Sequence, residues 1–403
     1  MGGEDLSFDD EVALLRDHGH EVIVYERSNR ELAGLSTVSM VKKLFWNREV
    51  YNDVKELIQE HRPDVMHCTN TFPILSCSVY DAAKELDVPV VQAFRNYRIF
   101  CANSVCVLKG SPCQKCLRKR FAFSAVLNRC YRNSRTASFA VACLQAYLRI
   151  RNPWKNKVSL MYTLSEFAKN KLVESGLPRE KIVVKPNFVS NPSQPGKGDG
   201  DFAVFAGRLS HEKGIETLLL AWEKIKEPIK LVILGDGPLG TLVQEHAAKD
   251  PRIIWKGRCK KQEVFDAIAS SKFLIVPSIS FETFGRTIIE AYSMNTPVIG
   301  SNSGAIDENI LDWETGLTFK TGDATDLAET VEYLLGNEEM LASMRVKSGE
   351  RYHEKYTAEA NYKRLIEIYD MAISNSPDKV SAVEVPISTA ASQLLTNDDM
   401  PIG

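Results

Sequence analysis

Twice along these 403 residues, short apolar and β-branched runs alternate with segments of helical period, an arrangement that few architectures accommodate. In the first half the runs are Glu21–Glu26 (EVIVYE), Val65–His67, Val88–Phe94 and Val158–Thr163. Runs so apolar suit strands buried on both faces, as in a parallel sheet joined by crossover helices. Those helices are expected at Lys43–His61, at Pro73–Leu86, and at Glu166–Glu174 with Ser165 as N-cap and Gly176 as stop. A Pro- and Gly-rich hydrophilic stretch over 191–200 then reads as a linker. Beyond it the alternation restarts, with FAVFA (202–206), KLVILG (230–235), RIIW (252–255), FLIVP (273–277) and PVIG (297–300). The expectation is an α/β chain of two doubly wound, Rossmann-like domains, 1–190 and 201–355. A helix over 356–373 and a disordered tail over 374–403 complete it.

Hydrophobic residues make up 44% of the chain, enough for two packed cores. No run is long and apolar enough to span a bilayer, and the opening residues show no basic or apolar leader, so a cytoplasmic location is expected. The net charge of −2 conceals an asymmetry: no Asp or Glu stands between Asp87 and Glu166, where fourteen Lys and Arg do. That segment suits an anionic partner, a membrane surface or a lipid-linked pyrophosphate, against the plainer reading of a solvated basic face. Nucleic acid is not among the expected partners. Phe121–Ile150, which mixes Arg with large apolar residues, fits helices resting on a membrane and fits packed helices equally.

The same segment, an insertion over about 96–150, holds Cys101, Cys113, Cys116 and Cys130, a candidate tetrahedral zinc set with Cys106 as a spare. Their spacing is looser than a zinc ribbon, so free thiols or a redox-labile pair stand beside that reading.

The chemistry concentrates in the second half. After FAVFA come Gly207, Arg208, Leu209, Ser210, His211, Glu212, Lys213 and Gly214, at the strand edge where doubly wound sheets bind ligands. Arg208 and Lys213 offer charge for a pyrophosphate, with two surface cations as the alternative. After FLIVP comes the run Phe281 to Glu290, in which Glu282 precedes a helix opened by Gly285 and Glu290 lies inside it. A helix N-terminus takes phosphate, and two flanking carboxylates take sugar hydroxyls. Gly235, Gly237 and Gly240 also match a dinucleotide fingerprint, but the strand that should end in an acidic residue ends in Lys256, Gly257 and Arg258.

In this order and spacing, Gly207, Arg208 and Lys213 followed by Glu282 and Glu290 resemble the donor half of the family 4 retaining glycosyltransferases of GT-B fold. Leu234–Pro238, Trp255–Gly257, Pro277, Ser278 and Ser303–Glu308 stand where that family has similar pieces. The resemblance implies two domains facing a cleft, with Glu282, Arg208 and Lys213 as the catalytic set. It implies a donor site of Gly207, Arg208, Lys213, Gly235, Gly257, Glu282, Phe284, Gly285, Arg286, Thr287 and Glu290. The donor would be a UDP- or GDP-sugar, with no cofactor and no divalent metal required. The first half resembles a bacterial cell-envelope polysaccharide subgroup through Gly2, Gly3, His18–Val22, His67, Asn70 and Asn96–Arg98, which implies an acceptor side at Gly2, Gly3, His67, Asn70, Arg95 and Asn96 and a glycan or lipid-linked acceptor. Two departures stand out. The family places a strand before its paired glycines, so the first strand of the N-terminal sheet is expected to be missing, and Arg95 stands where relatives have a histidine. An arginine there cannot be a general base, though it can hold an anion. Besides transfer on the inner face of the cell membrane, two readings are open: a donor-binding scaffold without turnover, and an enzyme like the nucleotide-sugar 2-epimerases.

Overall fold

The computed structural model describes residues 3–28, 31, 37–190 and 194–375. Gly2, part of the expected linker and nearly all of the expected tail lie outside them.

The first sheet has four parallel strands in sequential order: β1 (Met66–Cys68), β2 (Val90–Phe94), β3 (Leu160–Thr163) and β4 (Ile182–Val184). Alternation decides its two faces. Val90, Phe94 and Met161 pack with Val50, Val54 and Ile58 of the helix Arg48–His61 and with the helix Ser78–Glu85. Val91, Ala93, Leu160 and Tyr162 share a core with Ile368 and Ala372 of the last helix, Ala358–Ser374. The helix expected over Lys43–His61 is two helices, Thr37–Phe45 and Arg48–His61, because the Asn47 side chain accepts from the amides of Glu49 and Val50 and starts a new N-terminus. The expected helix Glu166–Glu174 forms as read, with Ser165 Oγ accepting from the Ala168 amide.

Glu21–Glu26, expected as a strand, joins no ladder. Among the described residues nothing lies beyond β1 to pair with it, and Ile23 and Val24 stay about 40% exposed. A parallel strand without a neighbour has no acceptors for its amides, so its apolar pattern alone does not make it one.

The second sheet has six parallel strands: β5 (Phe202–Ala206), β6 (Lys230–Leu234), β7 (Ile253–Gly257), β8 (Leu274–Val276), β9 (Val298–Ser301) and β10 (Gly316–Phe319). Their order is β10-β9-β8-β5-β6-β7, reversing between β5 and β8. A reversal of this kind opens a crevice at the carboxyl ends of the two central strands, where the loops diverge. The carboxyl ends of β5 and β8 lead into the His211–Lys213 turn and the Phe281–Gly285 loop respectively.

Candidate functional site

Three glycines line this edge. Gly207 follows β5, Gly235 follows β6 and Gly257 ends β7. Gly207 N donates to Leu234 O at 2.9 Å and Gly235 N to Gly257 O at 2.7 Å. Gly235 has φ 136°, and a Cβ there would overlap the Gly207 carbonyl oxygen, so these two backbones approach as only glycine allows.

The loop after β5 and the loop after β8 are tied together, the amides of Ile279 and Ser280 both donating to Glu212 O. Gly214, in the left-handed region at φ 72°, ends the turn against the Pro277 carbonyl. Lys213 Nζ therefore reaches Glu282 Oε1 at 2.6 Å, and Ser280 Oγ donates to the same oxygen at 3.3 Å. Burial would raise the Glu282 carboxyl pKa, but Lys213 outweighs it and holds it below the ordinary value. Arg208 stays exposed, with no ion pair among the described residues, beside the same glycine edge.

Gly285, at φ 81°, opens the helix Arg286–Ser293, whose first-turn amides, Thr287 among them, have no acceptor within the helix. Glu290 lies in that helix, and burial raises its carboxyl pKa against the opposing charge of Arg286, whose Nε sits 3.1 Å from it. The two carboxylates are thus partnered separately and titrate in opposite directions. Phe284, expected to touch the donor, has its ring in the core against Tyr356, which leaves its backbone alone to face the loop.

Arg286 also reaches across to the first half, donating to Ser7 Oγ at 3.0 Å and Asp10 Oδ2 at 2.6 Å on the helix Gly3–Asp17. Thr283 Oγ1 donates to Arg95 O, Ser165 Oγ to Thr283 O, and Glu308 accepts from the amides of Glu166 and Phe167 at 2.8 and 2.7 Å. The loops carrying Glu282 and Gly285 are therefore clasped by the first domain.

The acceptor-side residues do not all converge. Asn70, Arg95 and Asn96 line a pocket in the first domain. His67 does not, since its Nδ1 meets Tyr369 OH at 3.0 Å on the sheet face covered by the last helix, and burial lowers its pKa to about 4. Gly3 begins the helix Gly3–Asp17. The Arg95 guanidinium is buried, bound to Glu11 at 2.7 Å, Asn187 at 2.8 Å and Tyr162 at 3.2 Å, and Lys185 Nζ meets the other Glu11 oxygen at 2.5 Å. Burial would push the Glu11 pKa up, yet these two cations hold it well below the carboxylate range. Arg95 is neither a solvent cation nor a free anion holder. Sequence reading missed Glu11, although it stands three and four residues before Leu14 and Leu15, on the helix face that must pack.

The four expected zinc cysteines line one small cavity, and Cys101 lies against Cys106. Among the described residues no group of three or more His, Cys, Asp or Glu is arranged to hold a metal ion, so the zinc set does not form. All nine cysteines are free. No helix of the described residues is long and apolar enough to cross a membrane.

Comparison with known proteins agrees with this architecture. Residues 2–191 match the family described as Glycosyltransferase Family 4, and residues 190–351 that described as Glycosyl transferases group 1. An uncharacterized glycosyltransferase of Methanocaldococcus jannaschii is 28% identical over 209 residues, covering 51% of this chain and 58% of that protein. Phosphatidyl-myo-inositol mannosyltransferase of Mycobacterium leprae is 26% identical over 259 residues, covering 62% and 68%. The chain thus spans a little over half of the first relative and about two thirds of the second. Among solved structures, Anabaena HepE in complex with UDP-glucose superposes with a TM-score of 0.62 at 15% identity, covering 92% of this chain and 96% of that one. Sucrose-phosphate synthase of Thermosynechococcus elongatus does so with a TM-score of 0.67 at 16% identity, covering 93% and 94%.

Proposed function

The chain belongs to the family 4, group 1 glycosyltransferases of GT-B fold, and from that premise we propose that it transfers a sugar, with retention and without a metal ion, from a nucleotide diphosphate sugar to a glycan or lipid-linked acceptor. One observation carries the reading. Lys213 and Glu282 meet at 2.6 Å beside the glycine edge of Gly207, Gly235 and Gly257, next to the helix N-terminus opened by Gly285. The diphosphate lies along that edge, held by Arg208, Lys213 and the amides from Gly285 to Thr287. These groups neutralise the leaving charge where other enzymes use a divalent ion. Glu282 receives a hydroxyl of the transferring sugar and Glu290 the ribose. As the bond from the anomeric carbon to the diphosphate breaks, the acceptor hydroxyl enters on the same face and gives its proton to the leaving phosphate oxygen. The HepE complex with UDP-glucose favours uridine as the base.

The acid-free segment supports a peripheral position on the anionic inner face of the cell membrane. Phe123, Leu127, Phe139 and Ile150 are 68%, 66%, 53% and 84% exposed among its cations. The test is a panel of nucleotide-sugars in thermal shift with EDTA present, followed by NMR of the product. A ligand at 100 times its dissociation constant adds about 2.7 kcal/mol. A donor that raises the melting temperature and yields product of unchanged anomeric configuration supports the reading, and a flat panel or an inverted product overturns it. The scaffold reading has Arg95 in its favour, since its charge is spent on Glu11; donor binding without turnover on any acceptor would establish it.

A further inference from the structure

The pocket of the first domain is lined by a cation that makes no ion pair among the described residues. Arg98 lines it, stacks over the Phe72 ring at 4.9 Å, and has an Nε with no partner and no access to solvent. Its backbone is fixed, the amide donating to Asn96 Oδ1 and the carbonyl accepting from Gln145 Nε2 at 2.7 Å. Its side chain enters no ion pair among the described residues, unlike Arg95, which also lines the pocket and whose two terminal nitrogens are taken by Glu11 and Asn187. Arg98 is only partly buried, but the shielded Nε leaves one donor of the fork to be met by a ligand in the pocket, and the aromatic face beneath it does not accept a hydrogen bond as an anion would. Apolar residues line the same pocket: Leu144 and Leu148 from the helix Arg135–Arg151, and Trp154. That helix also carries Phe139 and Ile150 outward, with Arg135 and Arg151 exposed at its ends, so one element contributes both to the pocket lining and to the apolar, basic surface.

We propose that this cavity binds a phosphorylated amphiphile, its phosphate on Arg98 and its hydrocarbon chain along Leu144, Leu148 and Trp154. Resting on the transferase reading, this makes the acceptor a lipid-borne phosphate or diphosphate taken from the membrane surface. Arg98 is a binding residue here, and its fork suits a phosphate oxygen pair.

Trp154 in the wall gives a direct readout. Dodecyl phosphate below its micellar concentration, titrated into the full chain, changes tryptophan fluorescence saturably, and Trp154→Phe abolishes the change. Arg98→Gln weakens binding by about tenfold or more, as loss of a charge-assisted pair requires, and Arg98→Lys recovers part of it. On the unmodified chain, with no variant involved, dodecyl maltoside and inorganic pyrophosphate each bind far more weakly than dodecyl phosphate. Equal binding of the maltoside removes the anion from the proposal, equal binding of pyrophosphate removes the chain, and an Arg98→Gln protein that binds as the parent does overturns it. Calorimetry with UDP on the same samples keeps the two readings apart. UDP binding with no dodecyl phosphate binding sinks this inference alone, and the reverse sinks the donor site.

Discussion

Lys213 and Glu282 illustrate how one part-buried contact sets a titration. Glu282 is driven up by burial and brought below its ordinary value by Lys213. Lys213→Ala leaves the burial and removes the opposing charge, so the acid limb of the pH–rate profile moves to higher pH and turnover falls about 10²–10³-fold, as for loss of a preorganised charge. An acid limb that stays in place shows that Glu282 does not govern it. His67 gives a second, purely structural prediction. Its folded pKa is lowered from 6.5 to about 4, so between those values the unfolded chain binds a proton that the folded chain refuses. Its stabilisation is complete above pH 6.5 and is lost as pH falls toward 4. His67→Gln should flatten that part of the melting-temperature profile, read by circular dichroism. Both Lys213 and Glu282 were legible in the sequence, because strand-edge loops select for charge and their order matched a known pattern. The Glu11, Arg95 and Lys185 cluster was not, because an ion pair between residues 84 and 174 positions apart leaves no local trace.

At the scale of elements, the apolar runs located eight of the ten strands of the two parallel sheets and misread one segment. Ile182–Val184 and Gly316–Phe319, three and four residues long, were not read as strands, and Met66–Cys68 was found one residue early. Glu21–Glu26 had the right pattern without a neighbour, which a period of two cannot report. The glycine edge is the element on which the proposed donor binding turns. Gly235→Ala would press a Cβ into the Gly207 carbonyl and impose φ 136° on a residue that disfavours it. The strand ends must part, so UDP affinity should fall at least about tenfold, while the melting temperature of the free protein drops by the few degrees that about 1–3 kcal/mol of backbone strain produces. Gly257→Ala is the informative partner: nothing stands within 4 Å of a Cβ there, so only its φ of 66° opposes the change and the loss should be smaller. Equal losses at both positions would mean that strain, not the close approach of β5 and β6, is what matters.

The whole molecule is held closed by polar contacts across the two halves. Most lie close to the Phe281–Arg286 segment. Arg286 binds Ser7 and Asp10, Thr283 binds the Arg95 carbonyl, and Glu308 caps the helix that starts at Glu166. Polar interfaces between domains permit relative motion, and such closure in enzymes assembles the site around substrate. The two domains also share the apolar core around Ile368 and Tyr356, so an opening of the domains is expected to break the polar contacts near Glu282 before it disturbs that core. Glu308 is exposed, so its two amide contacts at a helix N-terminus contribute only about 1 kcal/mol after solvent screening. Glu308→Ala should therefore leave the melting temperature nearly unchanged yet shift the balance between closed and open forms about fivefold. Small-angle scattering would read this as a larger radius of gyration without donor that contracts when UDP is added. Turnover should fall by a similar factor with the dissociation constant for UDP little altered, because the proposed donor cradle lies wholly within the second domain. If scattering and turnover are both unchanged, the clasp near Glu282 is packing alone and closure is governed by the Arg286 contacts.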